Sequence, residues 1–492
     1  MSARRLIAAW TAAGLLLPIA AQAHSFGVVY NLPVPFWLYA WGATAALVAS
    51  FLVVGYFVSD GDAQRQFWFL DLSESAGVRL ARRLRLMALM KILSVGGLLL
   101  CMGTGFAGTK SPYGNFNMTF FWIVFVLGFA YFTALAGDLY AAINPWKVIS
   151  DGLGRVLRGY PDGMLRYPER LGYWPGVAFY MAFIWIELFG RTGPFSLAVI
   201  LAAYSLINLA GVGLVGTRDW FRYCEFFAVF FRQIARLAPV DYAPADRNGQ
   251  GGRLRLRAPF AGLLEPPAER LSLLVFVLFM LSSTAFDGLR EAMVWQKFFW
   301  VDLYRGFLQE WAGANPLAAF PILSRVFLYW QTFWLMASPF LYLGLYLVFI
   351  ALARLLTGGS RPLRDLAMQF ALPLLPIALV YNVTHYYTLI QTQGVKIVSL
   401  ASDPLGRNWN LFGTAHWLRR TIIPDAGTVW HVQVGLIVFG HIVSVYLAHL
   451  VALRIFPTRR QAVLSQLPML VLMVIFTTVG LWILSQPIKP GR

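Results

Sequence analysis

Long apolar runs separated by short polar segments make up most of the chain from residue 36 onward. A run of about 20 apolar residues is long enough to cross the hydrocarbon core of a bilayer as a helix. Ten such runs predict ten transmembrane helices and therefore an all-α, polytopic helix bundle. Their approximate limits are 36–58, 87–108, 118–142, 173–189, 194–217, 271–289, 326–353, 366–392, 429–452 and 465–486.

The segment 1–23 has the pattern of a secretory signal peptide. Two arginines precede an apolar stretch, and the stretch ends in the Ala-Gln-Ala of 21–23, which matches a cleavage site. Cleavage there predicts a mature chain that starts at His24, outside the membrane. The alternative is an uncleaved first helix, which leaves His24 on the same side.

The distribution of Lys and Arg predicts how the bundle is oriented. The 492 residues are 59% hydrophobic and 13% charged, a composition that excludes a soluble enzyme. A net charge of +18 would suggest a nucleic-acid partner in a soluble protein. However, 25 of the 40 basic residues lie in the predicted inner loops and 12 in the outer segments. The positive-inside rule accounts for that charge without nucleic acid and predicts a bacterial inner-membrane protein with both mature termini on the periplasmic side.

A basic connector divides the spans into two groups. We predict an N-terminal five-span half over 24–217, a cytoplasmic connector over 218–270, and a C-terminal five-span half over 271–492 that holds most of the histidines. The aromatic and basic residues of 218–236 suggest a helix lying flat at the membrane surface. The Gly- and Arg-rich stretch 243–257 suggests a flexible linker.

Common catalytic motifs are missing from the sequence. The segment 211–216 matches G-x-G-x-x-G but lies inside a predicted membrane helix with no strand before it, so close helix packing explains its glycines better than a dinucleotide does. The chain has no P-loop, H-E-x-x-H, C-x-x-C or G-x-S-x-G motif. Candidate chemistry must therefore come from ionisable residues inside the spans.

Three ionisable residues are predicted to lie at one depth near the outer surface. Glu187, Asp287 and His385 each fall near the end of a span that runs from inside to outside. Together with His24 they would supply oxygen and nitrogen ligands for a divalent metal ion such as zinc, copper or manganese. The alternative is that the acids pair with the nearby basic residues Arg191, Arg290 or Lys297.

Two further histidines and one acid are weaker candidates. His441 and His449 are eight residues apart, about 12 Å along a helix, so they cannot bind one ion but can line a polar path as further ligands or relays. Burial beside a hydroxyl or carbonyl is the alternative for each. Asp403 lies in an Asp-Pro turn, where it serves either a substrate or the turn itself.

Several short motifs spread over most of the chain resemble a family of bacterial integral membrane proteins labelled fenitrothion hydrolase. The resemblance implies hydrolysis of the P–O–aryl bond in a small hydrophobic organophosphorus triester, with release of a nitrophenol. A bound metal would lower the pKa of a water molecule, and Asp287 or Glu187 would take its proton. His416 and His431 do not match the family pattern. The matching stretches are 23–25, 32–35, 144–146, 286–289, 381–386, 402–406 and 433–435, with His441 and His449.

Two other classes of function stay open. One is a permease that handles a metal ion or a proton, in which the same acids and histidines would conduct a cation. The other is a non-catalytic subunit of a membrane assembly, either a homo-oligomer or a complex with a related membrane subunit. A continuous polar path to the inner face would favour the permease.

Overall fold

A helical membrane bundle is what the hydropathy pattern predicts, and the computed structural model confirms it. Among the described residues, eight helices are long and apolar enough to cross a membrane, and a ninth span is formed if a pair of helices bent by 41° counts as one. The bundle therefore lies in a lipid bilayer. The structure describes residues 35–58, 67–157, 159–244, 252–265, 267–313, 315–359, 361–418 and 425–486, so His24 and the signal segment fall outside it.

The main helices that build the bundle are labelled α1 to α11 in chain order. They are α1 (Phe36–Phe57), α2 (Leu86–Ala107), α3 (Phe116–Ala136), α4 (Trp174–Phe189), α5 (Pro194–Asp219), α6 (Phe226–Ala235), α7 (Leu271–Glu291), α8 (Pro316–Leu356), α9 (Leu375–Gln393), α10 (Ala426–Ile455) and α11 (Arg459–Ser485).

Other helical segments, of up to 12 residues each, connect these elements. They are Ala76–Arg83, Tyr140–Ile143, Pro145–Val156, Tyr160–Asp162, Glu169–Leu171, Trp220–Cys224, Ala261–Leu264, Met293–Lys297, Phe298–Leu308, Gln309–Ala312, Leu363–Gln369, Leu372–Leu374, Gly394–Lys396 and Ile397–Ser402.

The predicted fourth and eighth spans differ from simple membrane helices. Helix α4 has 16 residues, which at about 1.5 Å per residue gives about 24 Å, less than the roughly 30 Å hydrocarbon core. The predicted eighth span is bent between Leu363–Gln369 and Leu372–Ser402. Pro373 and Pro376 lie at and just after the bend, where a missing N–H interrupts the helical ladder. Both helices contribute to the polar site described below.

The prediction of a flexible linker over 243–257 is wrong for its described part. Three short strands, β1 (Phe69–Asp71), β2 (Val240–Ala243) and β3 (Arg253–Arg257), form an antiparallel sheet in the order β1-β3-β2. Alternation of Arg and Leu in β3 gives the two-residue period of a strand, with Arg255 opposite Asp71 and Asp241. The sheet joins the loop between α1 and α2 to the connector.

The prediction of a surface helix over 218–236 is also wrong. Helix α6 lies in the core, and Phe226, Phe227 and Phe231 are almost fully buried. The phenylalanines of α6 explain the difference, because they pack against aromatic side chains of α3 and α4. Helix α7 is the most enclosed span, with 83% of its most apolar window buried, whereas α1 and α2 expose most of their apolar residues.

Candidate functional site

A cluster of polar side chains lies where α4, α7 and α9 meet inside the bundle. Glu187 is on α4, Asp287 on α7, and His385 and Tyr386 on α9. Each of these helices is otherwise largely apolar, and neighbouring helices enclose the cluster. The structure therefore brings together the three residues of the described chain that were predicted to share one depth.

Asp287 and His385 are in direct contact. The Nε2 atom of His385 lies 2.7 Å from Oδ2 of Asp287, which is hydrogen-bond distance. Only 2% of Asp287 is exposed, so this carboxyl group depends on protein partners rather than on water. The contact fixes the orientation of the imidazole ring and identifies Nε2 as the nitrogen engaged by the acid.

Tyr386 links the two acids. Its hydroxyl oxygen lies 2.9 Å from Oε1 of Glu187 and 3.2 Å from Oδ2 of Asp287. A tyrosine hydroxyl carries one proton, so it can donate to only one of these carboxylates at a time. The other carboxylate makes a favourable contact with the hydroxyl oxygen only when it carries a proton itself. Glu187, Tyr386, Asp287 and His385 thus form a continuous chain along which a proton can shift.

Arg290 holds the second oxygen of Asp287. Its Nε donates to Asp287 Oδ1 at 3.0 Å, one Nη lies 3.0 Å from Glu291 Oε1, and the other donates to the backbone carbonyl of Leu188 at 3.2 Å. Pairing with Arg290 was one of the alternatives that the sequence left open, and it is present for Asp287. The contact to Leu188 also ties the end of α7 to the end of α4.

A small cavity adjoins the cluster, with Glu187, Asp287 and Tyr386 on its wall. Its volume is about 30 Å³, and a space of roughly 10–15 Å³ on this measure is enough for one water molecule. Most of the remaining wall is apolar and aromatic. The aromatic side chains there are those of Tyr180, Phe183, Phe226, Phe227 and Phe230.

Asp403 lies away from this cluster and stabilises a turn. Its two carboxylate oxygens accept the backbone N–H groups of Arg407 at 2.8 Å and Asn408 at 2.9 Å. These are the contacts expected of an aspartate that orders an Asp-Pro-Gly loop. Of the two roles that the sequence allowed, the turn is the one whose contacts are observed.

His441 and His449 are fully buried in α10 and have separate partners. Nδ1 of His441 lies 2.8 Å from the carbonyl oxygen of Ile437, while its Nε2 has no hydrogen-bond partner among the described residues. Nδ1 of His449 lies 2.9 Å from the side-chain amide nitrogen of Gln466. Neither imidazole has a described hydrogen bond to the Asp287 cluster, so a common site with it is not observed.

The donor set near Asp287 does not make a metal centre by itself. Within the described ranges, no group of three or more His, Cys, Asp or Glu side chains is arranged to hold a metal ion. The guanidinium group of Arg290 already occupies one side of Asp287, and a cation there would be repelled by it. His24, the proposed fourth ligand, lies outside the described residues. The divalent metal therefore stays a prediction, and no step below depends on it.

Sequence reasoning missed a second buried acid, Glu225, at the start of α6. Its carboxylate accepts hydrogen bonds from Tyr204 at 2.6 Å and Asn144 at 3.0 Å, and from the backbone N–H groups of Phe227 and Ala228. The predicted surface helix over 218–236 placed this acid at the membrane surface among basic residues. The available signal was an acid placed directly before the apolar, Phe-rich stretch of α6, which is a position that caps a helix N-terminus.

Comparison of the chain with protein-family models, curated proteins and solved structures gives no match.

Proposed function

We propose that the chain is a membrane-embedded hydrolase of small hydrophobic organophosphorus triesters. The observation that carries the proposal is the position of Glu187, whose carboxylate borders a cavity the size of one or two water molecules and is held there by Tyr386. A carboxylate beside a sequestered water is the arrangement that general-base hydrolysis needs. The substrate class comes from the motif resemblance noted in the sequence and from the apolar wall.

The reaction follows from the order of the hydrogen bonds. Glu187 takes a proton from the cavity water, and the resulting hydroxide attacks phosphorus. The bond from phosphorus to the aryl oxygen breaks, and the aryloxide leaves with the electron pair. Glu187 returns its proton to the aryloxide, so that the products are a dialkyl phosphate or thiophosphate acid and a phenol. Once protonated, Glu187 donates to the hydroxyl oxygen of Tyr386, and the O–H of Tyr386 donates to Asp287.

The size of the cavity places a condition on substrate entry. Typical small-molecule pockets have volumes of roughly 300–1,000 Å³, whereas this cavity measures about 30 Å³. A water molecule fits in the space as it stands, but an aryl group requires aromatic side chains of the wall to move aside. Ligand entry from the lipid phase suits such a site, since a neutral aromatic triester partitions into the membrane.

The test compares Glu187→Gln with Glu310→Gln in purified protein. Glu310 is exposed on the loop between α7 and α8 and serves as the matched control. With a nitrophenyl triester as substrate, we expect Glu187→Gln to lower the rate by about 100- to 10,000-fold, the range of a general base, and Glu310→Gln to leave it unchanged. Hydrolysis at the same rate in Glu187→Gln, or its absence from the wild type, contradicts the proposal.

A second candidate is a proton-handling permease, and the shared hydroxyl of Tyr386 favours it. Phe226 and Phe227 border the cavity and directly follow Glu225, so a second buried acid is the chain neighbour of residues that line this water-sized space. A proton could pass between the two acids by way of that water. Proton flux into proteoliposomes that is lost in both Glu187→Gln and Glu225→Gln, without triester hydrolysis, would support this function instead.

Cellular location is part of the same proposal. We place the chain in the bacterial inner membrane, with a cleaved signal and both mature termini in the periplasm, because Lys and Arg concentrate in the loops on the opposite side. The exposed apolar faces of α1 and α2 contact lipid or a related membrane subunit in a homo- or hetero-oligomer.

A further inference from the structure

A second and larger cavity lies between two loops on the same end of the bundle. Its volume is about 390 Å³, which is within the range of small-molecule sites. One wall comes from the loop between α2 and α3, and the other from the segment that follows α9. The polar side chains that line it are those of Thr109, Tyr113, Lys396, Ser399, Asp403 and Asn408.

Specific contacts join the two walls. The backbone N–H of Thr109 donates to the carbonyl oxygen of Leu405 at 3.0 Å. Gly406 has a φ of +67°, and a Cβ atom there would lie 2.8 Å from the side chain of Thr109, so the close approach requires glycine. Asp403 orders the rest of this loop through its two backbone hydrogen bonds. Contacts within the fold therefore hold the two walls of the cavity in place.

Lys396 supplies a positive charge to this cavity. Its Nζ donates to Oε1 of Gln393 at 2.7 Å and lies 5.9 Å from the centre of the Tyr113 ring. Within the described part of the chain, no carboxylate lies within ion-pair distance of Lys396. Asp403, the acid on the same wall, is already satisfied by backbone N–H groups. An ammonium group with only neutral partners attracts an anion.

We propose that this cavity binds a small aromatic anion, of the benzoate or phenolate class. The negative group pairs with Lys396, the ring packs against Tyr113, and the hydroxyl groups of Thr109 and Ser399 with the amide of Asn408 lie within the same space. The inference does not depend on the proposed hydrolase. Lys396 is 10 residues beyond Tyr386 in sequence, about 15 Å along a helix, so this site is distinct from the buried acid cluster.

The experiment uses 4-nitrobenzoate as probe and neutral 4-nitrobenzamide as its matched partner, with binding to the full-length protein in detergent measured calorimetrically. We expect the anion to bind at least ~10-fold more tightly than the amide, since a charge-assisted contact is worth roughly 1.5–3 kcal/mol and 1.4 kcal/mol is tenfold. Lys396→Gln removes that preference, and Lys396→Arg keeps it.

Two further variants make the result specific to this cavity. Lys110→Gln changes an exposed lysine on the same loop as Tyr113 that does not line the cavity, and it leaves binding unchanged. Tyr113→Leu weakens binding of the anion and of the amide alike, because both use the ring. Wild-type protein that binds neither compound, or a preference for the anion that survives in Lys396→Gln, overturns the proposal.

Discussion

Removal of the guanidinium group of Arg290 tests what organises the buried cluster. Arg290→Met keeps much of the side-chain volume and removes the ion pair to Asp287, the pair to Glu291 and the hydrogen bond to Leu188. Removal of one partner of a buried ion pair lowers the free energy of unfolding by about 3–5 kcal/mol, because the charge of the other partner is left uncompensated. Asp287 keeps its contacts to His385 and Tyr386, so we expect a loss of about 3 kcal/mol in the free energy of unfolding.

The assay is unfolding of the purified protein in mixed micelles as the SDS fraction rises, followed by far-UV circular dichroism. Arg305→Met, a change at an exposed arginine between α7 and α8, is the control and is expected to shift stability by no more than about 0.5 kcal/mol. A double-mutant cycle adds Asp287→Asn. Because the two residues touch, the double variant should be at least about 1 kcal/mol more stable than the sum of the single losses predicts.

Two outcomes would refute this reasoning. If Arg290→Met is no more destabilising than Arg305→Met, the ion pair contributes nothing to the fold. If the losses from Arg290→Met and Asp287→Asn simply add, the two side chains act independently despite their 3.0 Å separation.

Three further predictions concern topology, metal content and pH. Reporter fusions at positions 250 and 490 should report opposite sides of the membrane, and finding both on the same side contradicts the predicted topology. Sequencing of the mature N-terminus should begin at His24, and a retained signal segment contradicts the predicted cleavage. If a divalent metal is bound, elemental analysis should find it in the wild type and not in His385→Ala, and a metal-free wild type rules the ligand set out. Hydrogen bonds from Thr428 at the start of α10 lower the pKa of Asp425. The stabilising cap is therefore present above the usual aspartate range and is lost as the pH falls through the lowered pKa. Hydrogen exchange should show the first turn of α10 opening in acid in the wild type, whereas exchange in Asp425→Ala should not respond to this pH change.

The polar cluster was predictable because two simple rules apply to it. Ionisable residues are rare in membrane helices, and residues near the ends of helices that run the same way share a depth. Glu187, Asp287 and His385 were found on those grounds alone. Tyr386 was missed as a partner because tyrosine is common near membrane surfaces, and nothing in a sequence distinguishes a tyrosine that bridges two acids from one that faces lipid.

The two wrong structural predictions both lie in the connector, where amino-acid composition suggested a flexible linker and a surface helix. A stretch rich in Arg and Gly suggests a solvated linker, yet the Arg-Leu alternation of β3 has the period of a strand, and cross-strand ion pairs to Asp71 and Asp241 stabilise it. Helix α6 was placed at the surface because its segment, 218–236, mixes aromatic with basic residues. Its burial depends on contacts with Phe183 and Tyr180 of α4, which lie far away in sequence and leave no local signal.

The small sheet can form only after about half of the chain has been synthesised. Strand β1 lies at residues 69–71, but its only described strand neighbour is β3 at 253–257, roughly 185 residues later. At about 5–20 residues per second, a ribosome needs on the order of 10–40 s to supply β3 after β1 has emerged. Throughout that interval Trp68, Phe69 and Leu70 form an unpaired apolar edge at the membrane surface. We therefore expect early insertion of α1 and α2, which flank β1 in the chain, to keep this edge close to lipid and to limit aggregation of the nascent protein.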